Sequence, residues 1–226
     1  MKSLLKTLNE ESLLSVFALF ALSVGFSFAL LAARIWYSDT NQYTFLVWNL
    51  FLAFIPFAVS SFLLLTKRFT PTITFLGLAV LWLLFLPNAP YILTDLFHLR
   101  VRNGVPLWFD LVLILSFAWN GLLFGFVSLA DMQREVRRRF GQFSAWLFVL
   151  SSLFLSGFGI YLGRYLRWNS WDIISNPGAL ALDIMDRFIN PLSHPGTWGV
   201  TFVFAVFLTL SYLMLIQLGK RSSLKS

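Results

Sequence analysis

Long apolar runs separated by short polar connections constrain this chain more than any other feature. Each run has roughly 20 residues, which is the length an α-helix needs to cross the hydrocarbon of a bilayer. The predicted spans are about 13–33, 44–65, 72–86, 107–130, 143–162 and 197–218. Only 12% of the 226 residues are charged, about half the share found in a soluble domain. The sequence therefore predicts an all-α fold, a polytopic transmembrane helical bundle that forms one domain over residues 1–226.

The basic residues lie in the connections and predict how the bundle is oriented. With six spans both termini share one side, and that side carries eleven Lys and Arg residues against six on the other. The first set is Lys2, Lys6, Lys67, Arg68, Arg134, Arg137, Arg138, Arg139, Lys220, Arg221 and Lys225, and the second is Arg34, Arg100, Arg102, Arg164, Arg167 and Arg187. Because cytoplasmic loops carry the excess of Lys and Arg, we predict that both termini are cytoplasmic.

Composition excludes several classes of function. The net charge of +7 comes from residues that orient spans and meet anionic headgroups, so we predict contact with membrane lipids and no binding of nucleic acid. The chain has no cysteine, which excludes disulfides, thiolate metal sites and thiol nucleophiles. It also lacks a Walker loop, a dinucleotide fingerprint and the common hydrolase motifs. The sequence assigns neither a cofactor nor a protein partner.

A different kind of helix is predicted in the last outward connection. Asn176 is a suitable N-cap, and a proline follows it at the first helical position. Over residues 177–190 the apolar Leu182, Met185 and Ile189 recur at helical spacing. We expect this amphipathic helix to lie in the outer interface, with its apolar side in lipid or on the bundle.

Two prolines, Pro87 and Pro90, interrupt the third apolar run near membrane depth. Irregular backbone is tolerated at that depth only where protein or a wet cavity satisfies its polar groups. Asn88, between the two prolines, is expected to satisfy part of this backbone, which would be a structural role. The interruption also places a candidate site here.

Polar side chains follow the interruption at helical spacing. If residues 91–102 are helical, Tyr91, Asp95, His98 and Arg102 lie on one face. A carboxylate beside an imidazole orients the ring and raises its pKa, an arrangement that suits a general base or half of a metal site. The alternative is that Asp95 and Arg102 are solvated loop charges and that His98 is an interfacial histidine.

A second group of polar residues follows the fifth predicted span. It pairs Arg164 and Arg167 with aromatic residues, and it includes Trp168, Asn169 and Asp172. The planar guanidinium of arginine suits phosphate and carboxylate, so one hypothesis is a site for an anionic group such as a lipid phosphate. The alternative is an aromatic belt with arginines at headgroup level.

Polar residues also lie within the predicted spans. Asp110 is about one turn inside the outer end of the fourth span, where a charged carboxylate is expensive unless it is paired. Arg164 or Arg167, at the matching end of the fifth span, is the expected partner. Asn49 and Asn120 are expected to form hydrogen bonds between helices.

Metal chemistry is an alternative for the same residues. A carboxylate–histidine site would use Asp95, His98, Asp110 and Asp172, although no metal is assigned. Haem is disfavoured because His194, the second histidine, lies in a turn next to a proline.

The motifs that carry these residues resemble a known family. They are Pro87-Asn88-Ala89-Pro90-Tyr91 with Thr94-Asp95 and His98, Trp108-Phe109-Asp110-Leu111, Gly163-Arg164-Tyr165-Leu166-Arg167-Trp168-Asn169-Ser170-Trp171-Asp172, and Asn190-Pro191-Leu192. Together they resemble a bacterial family of predicted membrane proteins, domain of unknown function thirteen sixty-one, from about the second span to the end of the chain. The resemblance implies a multi-pass protein of the bacterial cytoplasmic (inner) membrane. It implies no activity and assigns no functional residue.

The sequence thus favours an outward-facing polar site that binds or processes a lipid or lipid-linked anionic substrate. The ligand-binding candidates are Asn88, Tyr91, Arg164, Arg167, Trp168, Asn169 and Asp172, and the catalytic candidates are Asp95, His98 and Asp110. Whether the protein is an enzyme stays open. One alternative is a non-enzymatic structural or assembly component whose polar motifs hold the helices together. A small-solute or ion transporter is a further alternative, which the sparse charge within the spans disfavours.

Overall fold

A computed structural model describes residues 2–66, 70–101 and 104–223, and it describes their side chains outside 2–16, 220, 222 and 223. The helices are α1 (Lys2–Ser38), α2 (Phe45–Leu65), α3 (Thr72–Phe85), α4 (Asn88–Tyr91), α5 (Leu107–Tyr165), α6 (Asp172–Ser175), α7 (Pro177–Ile189) and α8 (Pro195–Ser223). One 3-10 helix, Ile92–His98, follows α4, and another, Pro191–Ser193, separates α7 from α8. This architecture confirms the predicted all-α bundle.

The helices that can cross a membrane are found where the apolar runs predicted them. Five stretches are long and apolar enough: Phe17–Ser38, Phe45–Leu65, Thr72–His98, Leu107–Tyr165 and Pro195–Gly219. Helices dominate because every backbone polar group in hydrocarbon must find a partner inside the protein. The chain is therefore a polytopic membrane protein by length and composition of its helices.

The helix α5 is much longer than one span. Its 59 residues would extend about 90 Å if straight, roughly three times the thickness of the hydrocarbon. At Gly141 the backbone leaves the helical conformation, with φ 87° and ψ 173°, and such a positive φ is accessible mainly to glycine. Leu122 and Leu129 line the same small cavity as Leu153. The helix therefore folds back at Gly141, and its halves, 107–140 and 142–165, contain the fourth and fifth predicted spans.

Close backbone contact positions the short helix α4 between the two halves of α5. Glycines at a spacing of four occur in both halves: Gly121 and Gly125, then Gly159 and Gly163. A Cβ atom added to Gly125 would stand 2.8 Å from the Cβ of Ala89, and one added to Gly159 would stand 2.7 Å from the Cβ of Pro87. Small residues at this spacing let helices approach closely in membranes. The proline-containing segment is thus held between two helical walls.

The predicted amphipathic helix is present as α7 and begins at Pro177, as its capping residues indicated. Leu182, Met185 and Ile189 are exposed on one side. On another side, Ile184 and Phe188 line the large cavity described below. Its location in the membrane interface stays a prediction, as do the number and bounds of the spans.

Candidate functional site

The candidate site is a cavity of about 1070 Å³, at the upper end of the roughly 300–1,000 Å³ found for small-molecule sites. Side chains from α2, α3, α4, the first 3-10 helix, the second half of α5, α7 and the connection before α7 line it. The polar residues in this lining are Asn49, Asn88, Tyr91, Asp95, His98, Arg164, Arg167, Trp168, Asn169 and Ser170. The structure thus brings together most candidates from the two polar motifs. The remaining lining is largely apolar.

Asp95 holds three elements together at this cavity. Its side chain is 1% exposed, and Arg164 Nη2 donates to its Oδ1 at 2.5 Å. Asn49 Nδ2, from α2, donates to its Oδ2 at 2.7 Å. Arg164 Nε also donates to Thr94 Oγ1 at 2.8 Å. Each carboxylate oxygen therefore accepts a hydrogen bond from another element, and the prediction that Asn49 forms a hydrogen bond between helices is confirmed.

The guanidinium of Arg164 is largely used by the protein itself. Besides Asp95 and Thr94, it lies over the ring of Tyr91, with Cζ 4.4 Å from the ring centroid. Only 13% of its side chain is exposed. A cation over an aromatic face gains further stabilisation when it is desolvated. Arg164 thus ties α5 to the segment after the prolines and has little capacity left for a ligand.

His98 lies beside Asp95 but does not form a hydrogen bond with it. The distance from His98 Nδ1 to Asp95 Oδ1 is 3.9 Å, which is too long for one. Its ring packs against Phe45, with centroids 5.3 Å apart, and 48% of its side chain is exposed. The imidazole is therefore open to the cavity.

The geometry of this segment corrects one expectation. The helix predicted over 91–102 is a 3-10 helix over Ile92–His98. With three residues per turn, it still places Asp95 and His98 on one face. The helix ends at His98, and Arg102 lies outside the described residues.

Arg167 is the cation of the lining that the protein leaves free. Within the described part of the chain, no carboxylate pairs with Arg167 and no hydrogen bond engages its side chain, which is exposed. Its backbone has a φ of 62°, uncommon for a residue other than glycine and often found at functional positions. Two guanidiniums against the single carboxylate of Asp95 leave the lining with a positive charge. An anion is the complementary ligand.

Asn88 satisfies the backbone that the prolines interrupt. Its Nδ2 donates to the carbonyl oxygen of Phe85 and to Ser170 Oγ, both at 2.9 Å. Ser170 Oγ in turn donates to the carbonyl of Leu84 at 3.3 Å. The structural role expected of Asn88 is confirmed. Ser170 and Thr94 were not among the candidates, because the presence of a hydroxyl group in a motif does not predict which side chain it will bond.

The connection that carries Trp168 and Asn169 is held by carboxylates outside the cavity. Trp168 Nε1 donates to Asp183 Oδ2 on α7 at 2.7 Å. The backbone N–H of Asn169 donates to Asp172 Oδ2 at 2.7 Å, and Ser175 Oγ donates to Asp172 Oδ1 at 2.9 Å. These hydrogen bonds, that of Asn169 first, hold the pKa of Asp172 below its usual value. The Asp172 side chain orders this turn and is not part of the cavity lining, and its contact with a ligand stays a prediction.

A family model matches residues 48–211 of the chain. The family is described as protein of unknown function (DUF1361). The chain belongs to this DUF1361 family. No curated protein and no solved structure matches it. The matched range contains every cavity-lining residue of this DUF1361 protein except Phe45.

Asp110 does not belong to the cavity of this DUF1361 protein. Its partner is Arg34 of α1, whose Nε donates to Oδ1 at 2.6 Å and whose Nη2 donates to Oδ2 at 3.3 Å. The two side chains are 0% and 1% exposed. The expected pairing with Arg164 or Arg167 was wrong because α1 packs on the first half of α5 at this level.

Arg34 had been assigned to the outer surface, so its role was missed. One feature of the sequence could have predicted the pairing. Arg34 comes just after the first predicted span, on the same side of the membrane as Asp110, which required a cation. Further along the same pair of helices, Asn120 Nδ2 donates to Ser27 Oγ of α1 at 3.0 Å. The prediction of an interhelical hydrogen bond for Asn120 is confirmed.

The donors proposed for a metal do not converge. Asp110 is paired with Arg34, and Asp172 orders its own turn. Throughout the described ranges, no three His, Asp or Glu side chains are grouped so that they could hold a metal ion. Asp95 and His98 therefore remain as a pair without a third ligand.

Proposed function

We propose that this protein binds the anionic headgroup of a lipid or lipid-linked substrate in the cavity, on the outer side of the membrane. The observation that carries the proposal is the guanidinium of Arg167, which has no partner among the described residues and lies in a cavity with a largely apolar lining. A guanidinium binds phosphate and carboxylate in two parallel hydrogen bonds. An amphiphile offers both complementary parts, an anionic head and an apolar chain.

The surroundings of Arg167 support this function. Trp168 and Trp171 line the cavity on the same connection, and indole rings are frequent at the level of lipid headgroups. The excess of Lys and Arg on the opposite side of the predicted bundle supports an outward orientation. Arg164 does not hold the anion in this proposal, because Asp95 and Thr94 already engage it.

If the substrate is processed, His98 is the group that transfers the proton. Its imidazole is half exposed to the cavity and lies 3.9 Å from the buried carboxylate of Asp95, so a ligand in the cavity can reach it. Asp95 positions the site, since both of its oxygens accept hydrogen bonds. Asp110 has no part in the chemistry because it lies with Arg34 away from the lining.

Native mass spectrometry of protein released from nanodiscs tests the binding function. The nanodiscs contain equal parts of phosphatidylglycerol and phosphatidylcholine, and the comparison is between the wild type and Arg167→Ala. We expect the wild type to retain phosphatidylglycerol. The variant should retain at least about tenfold less, a difference of about 1.4 kcal/mol in binding free energy.

The matched control is Arg100→Ala, which removes an exposed arginine from the same predicted side but outside the lining. It should retain phosphatidylglycerol as the wild type does. Equal losses in both variants would mean that the lipid responds to surface charge and not to the cavity, and the proposal would be wrong.

A second candidate function is a structural or assembly role without a ligand. It is favoured by the Asn49–Asp95–Arg164 network, which joins α2, the 3-10 helix and α5. Under this function Arg167→Ala changes no lipid retention, whereas substitutions in the network lower the melting temperature. Since the network stabilises the fold under either function, the retention of phosphatidylglycerol by Arg167→Ala is the measurement that distinguishes the two.

A further inference from the structure

The apolar end of the cavity is a groove that opens toward the bilayer. Val80 of α3 and Leu155 of α5 both line the cavity. Their side chains are nevertheless 68% and 40% exposed. Both residues lie within stretches that are apolar enough to cross a membrane, so their exposed surface faces hydrocarbon and not water. The cavity is thus accessible from the side.

The groove extends from the polar end far into the outer half of the membrane. At about 1.5 Å per helical residue, Val80 lies about 10 Å below Pro87, and Leu155 lies about 13 Å below Arg164. Half of the hydrocarbon core is about 15 Å thick. A chain that followed the groove from a headgroup at the polar end would therefore stay within one leaflet.

An aromatic contact outside the cavity lining joins α3 to the second half of α5. Trp82 of α3 stacks on Phe148 of α5, with ring centroids 5.3 Å apart. The indole Nε1 of Trp82 also donates to Ser128 Oγ at 3.2 Å, and Trp82 is fully buried. Phe148 lies about 10 Å below Leu155 along its helix. The contact therefore holds α3 against α5, and neither ring lines the groove.

We infer that this groove holds the hydrocarbon chain of an outer-leaflet phospholipid, which enters sideways from the bilayer and places its phosphate at Arg167. The inference rests on the proposed function and narrows its substrate class to a lipid that is resident in the membrane. Positive charge at one end and exposed apolar walls at the other match the two parts of such a lipid. Lateral entry also keeps the chain out of water, where each exposed methylene is unfavourable.

The test fills the groove with apolar bulk and leaves the polar end unchanged. The groove variant is Val80→Phe with Leu155→Phe. Its matched control is Ile73→Phe with Leu150→Phe, which adds the same bulk to exposed positions of the same two helices outside the lining. In nanodiscs of equal parts phosphatidylglycerol and phosphatidylcholine, we expect the groove variant to retain at least about tenfold less phosphatidylglycerol than the wild type. The control should retain it.

A second measurement uses glycerol phosphate, which has the anionic group without hydrocarbon chains. Its binding is followed by the fluorescence of the cavity tryptophans Trp48, Trp168 and Trp171. We expect the wild type and the groove variant to bind glycerol phosphate with affinities that agree within about twofold. That result, with loss of phosphatidylglycerol in the groove variant alone, supports lateral binding of the chain.

The other outcomes overturn the inference in distinguishable ways. If the groove variant keeps phosphatidylglycerol, the chain does not occupy the groove, although the headgroup function stands. If it loses glycerol phosphate as well, these side chains maintain the polar end and do not contact a chain. If the wild type binds neither probe, the proposed function fails together with the inference.

Discussion

In the part of the chain that the structure describes, two buried arginine–aspartate pairs join different helices, and they differ in what surrounds them. Arg34 and Asp110 join α1 to α5 and are 0% and 1% exposed. Arg164 and Asp95 join α5 to the 3-10 helix, and Arg164 is 13% exposed at a cavity of about 1070 Å³. The first pair is enclosed by packed side chains, whereas the second forms part of the cavity lining.

The difference shows that a buried ion pair is not by itself a functional site. Each pair satisfies its carboxylate, and each would hold helices together without any ligand. Among the described residues, only the second pair has neighbouring side chains, Arg167 and His98, that line the same cavity and form no hydrogen bond. Function is therefore expected from the side chains that the pair positions and not from the pair. The Arg34–Asp110 pair leaves one polar atom unsatisfied. Nη1 of Arg34 is buried and forms no hydrogen bond with the described residues.

The largest decrease in stability is expected from Asp110→Ala. The substitution leaves the buried guanidinium of Arg34 without a counter-charge, and removing one partner of a buried pair costs about 3–5 kcal/mol. Thermal unfolding in detergent, followed by the loss of monodisperse protein on size-exclusion chromatography, measures the decrease.

The control for this prediction is the double variant Arg34→Met with Asp110→Leu. Apolar residues of similar volume often replace a buried pair without loss, so the double variant should recover most of the stability. Wild-type stability in the single variant would show that Asp110 and Arg34 do not depend on one another.

An intermediate effect is expected from Asp95→Asn, which keeps the shape of the side chain but removes its charge. Hydrogen bonds to charged groups contribute about 1.5–3 kcal/mol, and the loss here should lie within that range. Arg164 then becomes a second cation that a ligand can reach, so retention of phosphatidylglycerol should rise. Thermal unfolding and native mass spectrometry on the same sample check both parts. Unchanged stability with lost lipid would place Asp95 in contact with the ligand instead.

The smallest change in stability is expected at the turn that Asp172 orders. Since the folded pKa of Asp172 is lower than its unfolded value, the turn adds stability above the unfolded pKa of about 3.9 and loses it as the pH falls through the folded pKa. Melting temperatures of the wild type and Asp172→Asn should differ slightly at neutral pH and converge once the pH lies below the folded pKa of Asp172. A difference that persists in acid would show that the Asp172 charge does not stabilise the turn.

Features with a local cause were accessible from the sequence. Apolar length predicted the membrane-crossing helices, because hydrocarbon requires backbone hydrogen bonds within each segment. The prolines at Pro87 and Pro90 predicted the interruption, and Asn176 with Pro177 predicted the start of α7. The position of Asn88 between the two prolines predicted its role in the interrupted backbone, and its partner, Phe85, lies only three residues away.

Only the tertiary structure decided which charges are paired. Arg34 lies 76 residues from Asp110, and Arg164 lies 69 residues from Asp95. No period along the chain links such positions, because their contact depends on which helices become neighbours. Helix neighbours in turn depend on glycines such as Gly125 and Gly159, where close approach is possible. The sequence by itself determined a bundle of apolar helices with two polar motifs on its predicted outer side. The packing of the helices decided that Arg167, among the described cations of the cavity lining, has no partner.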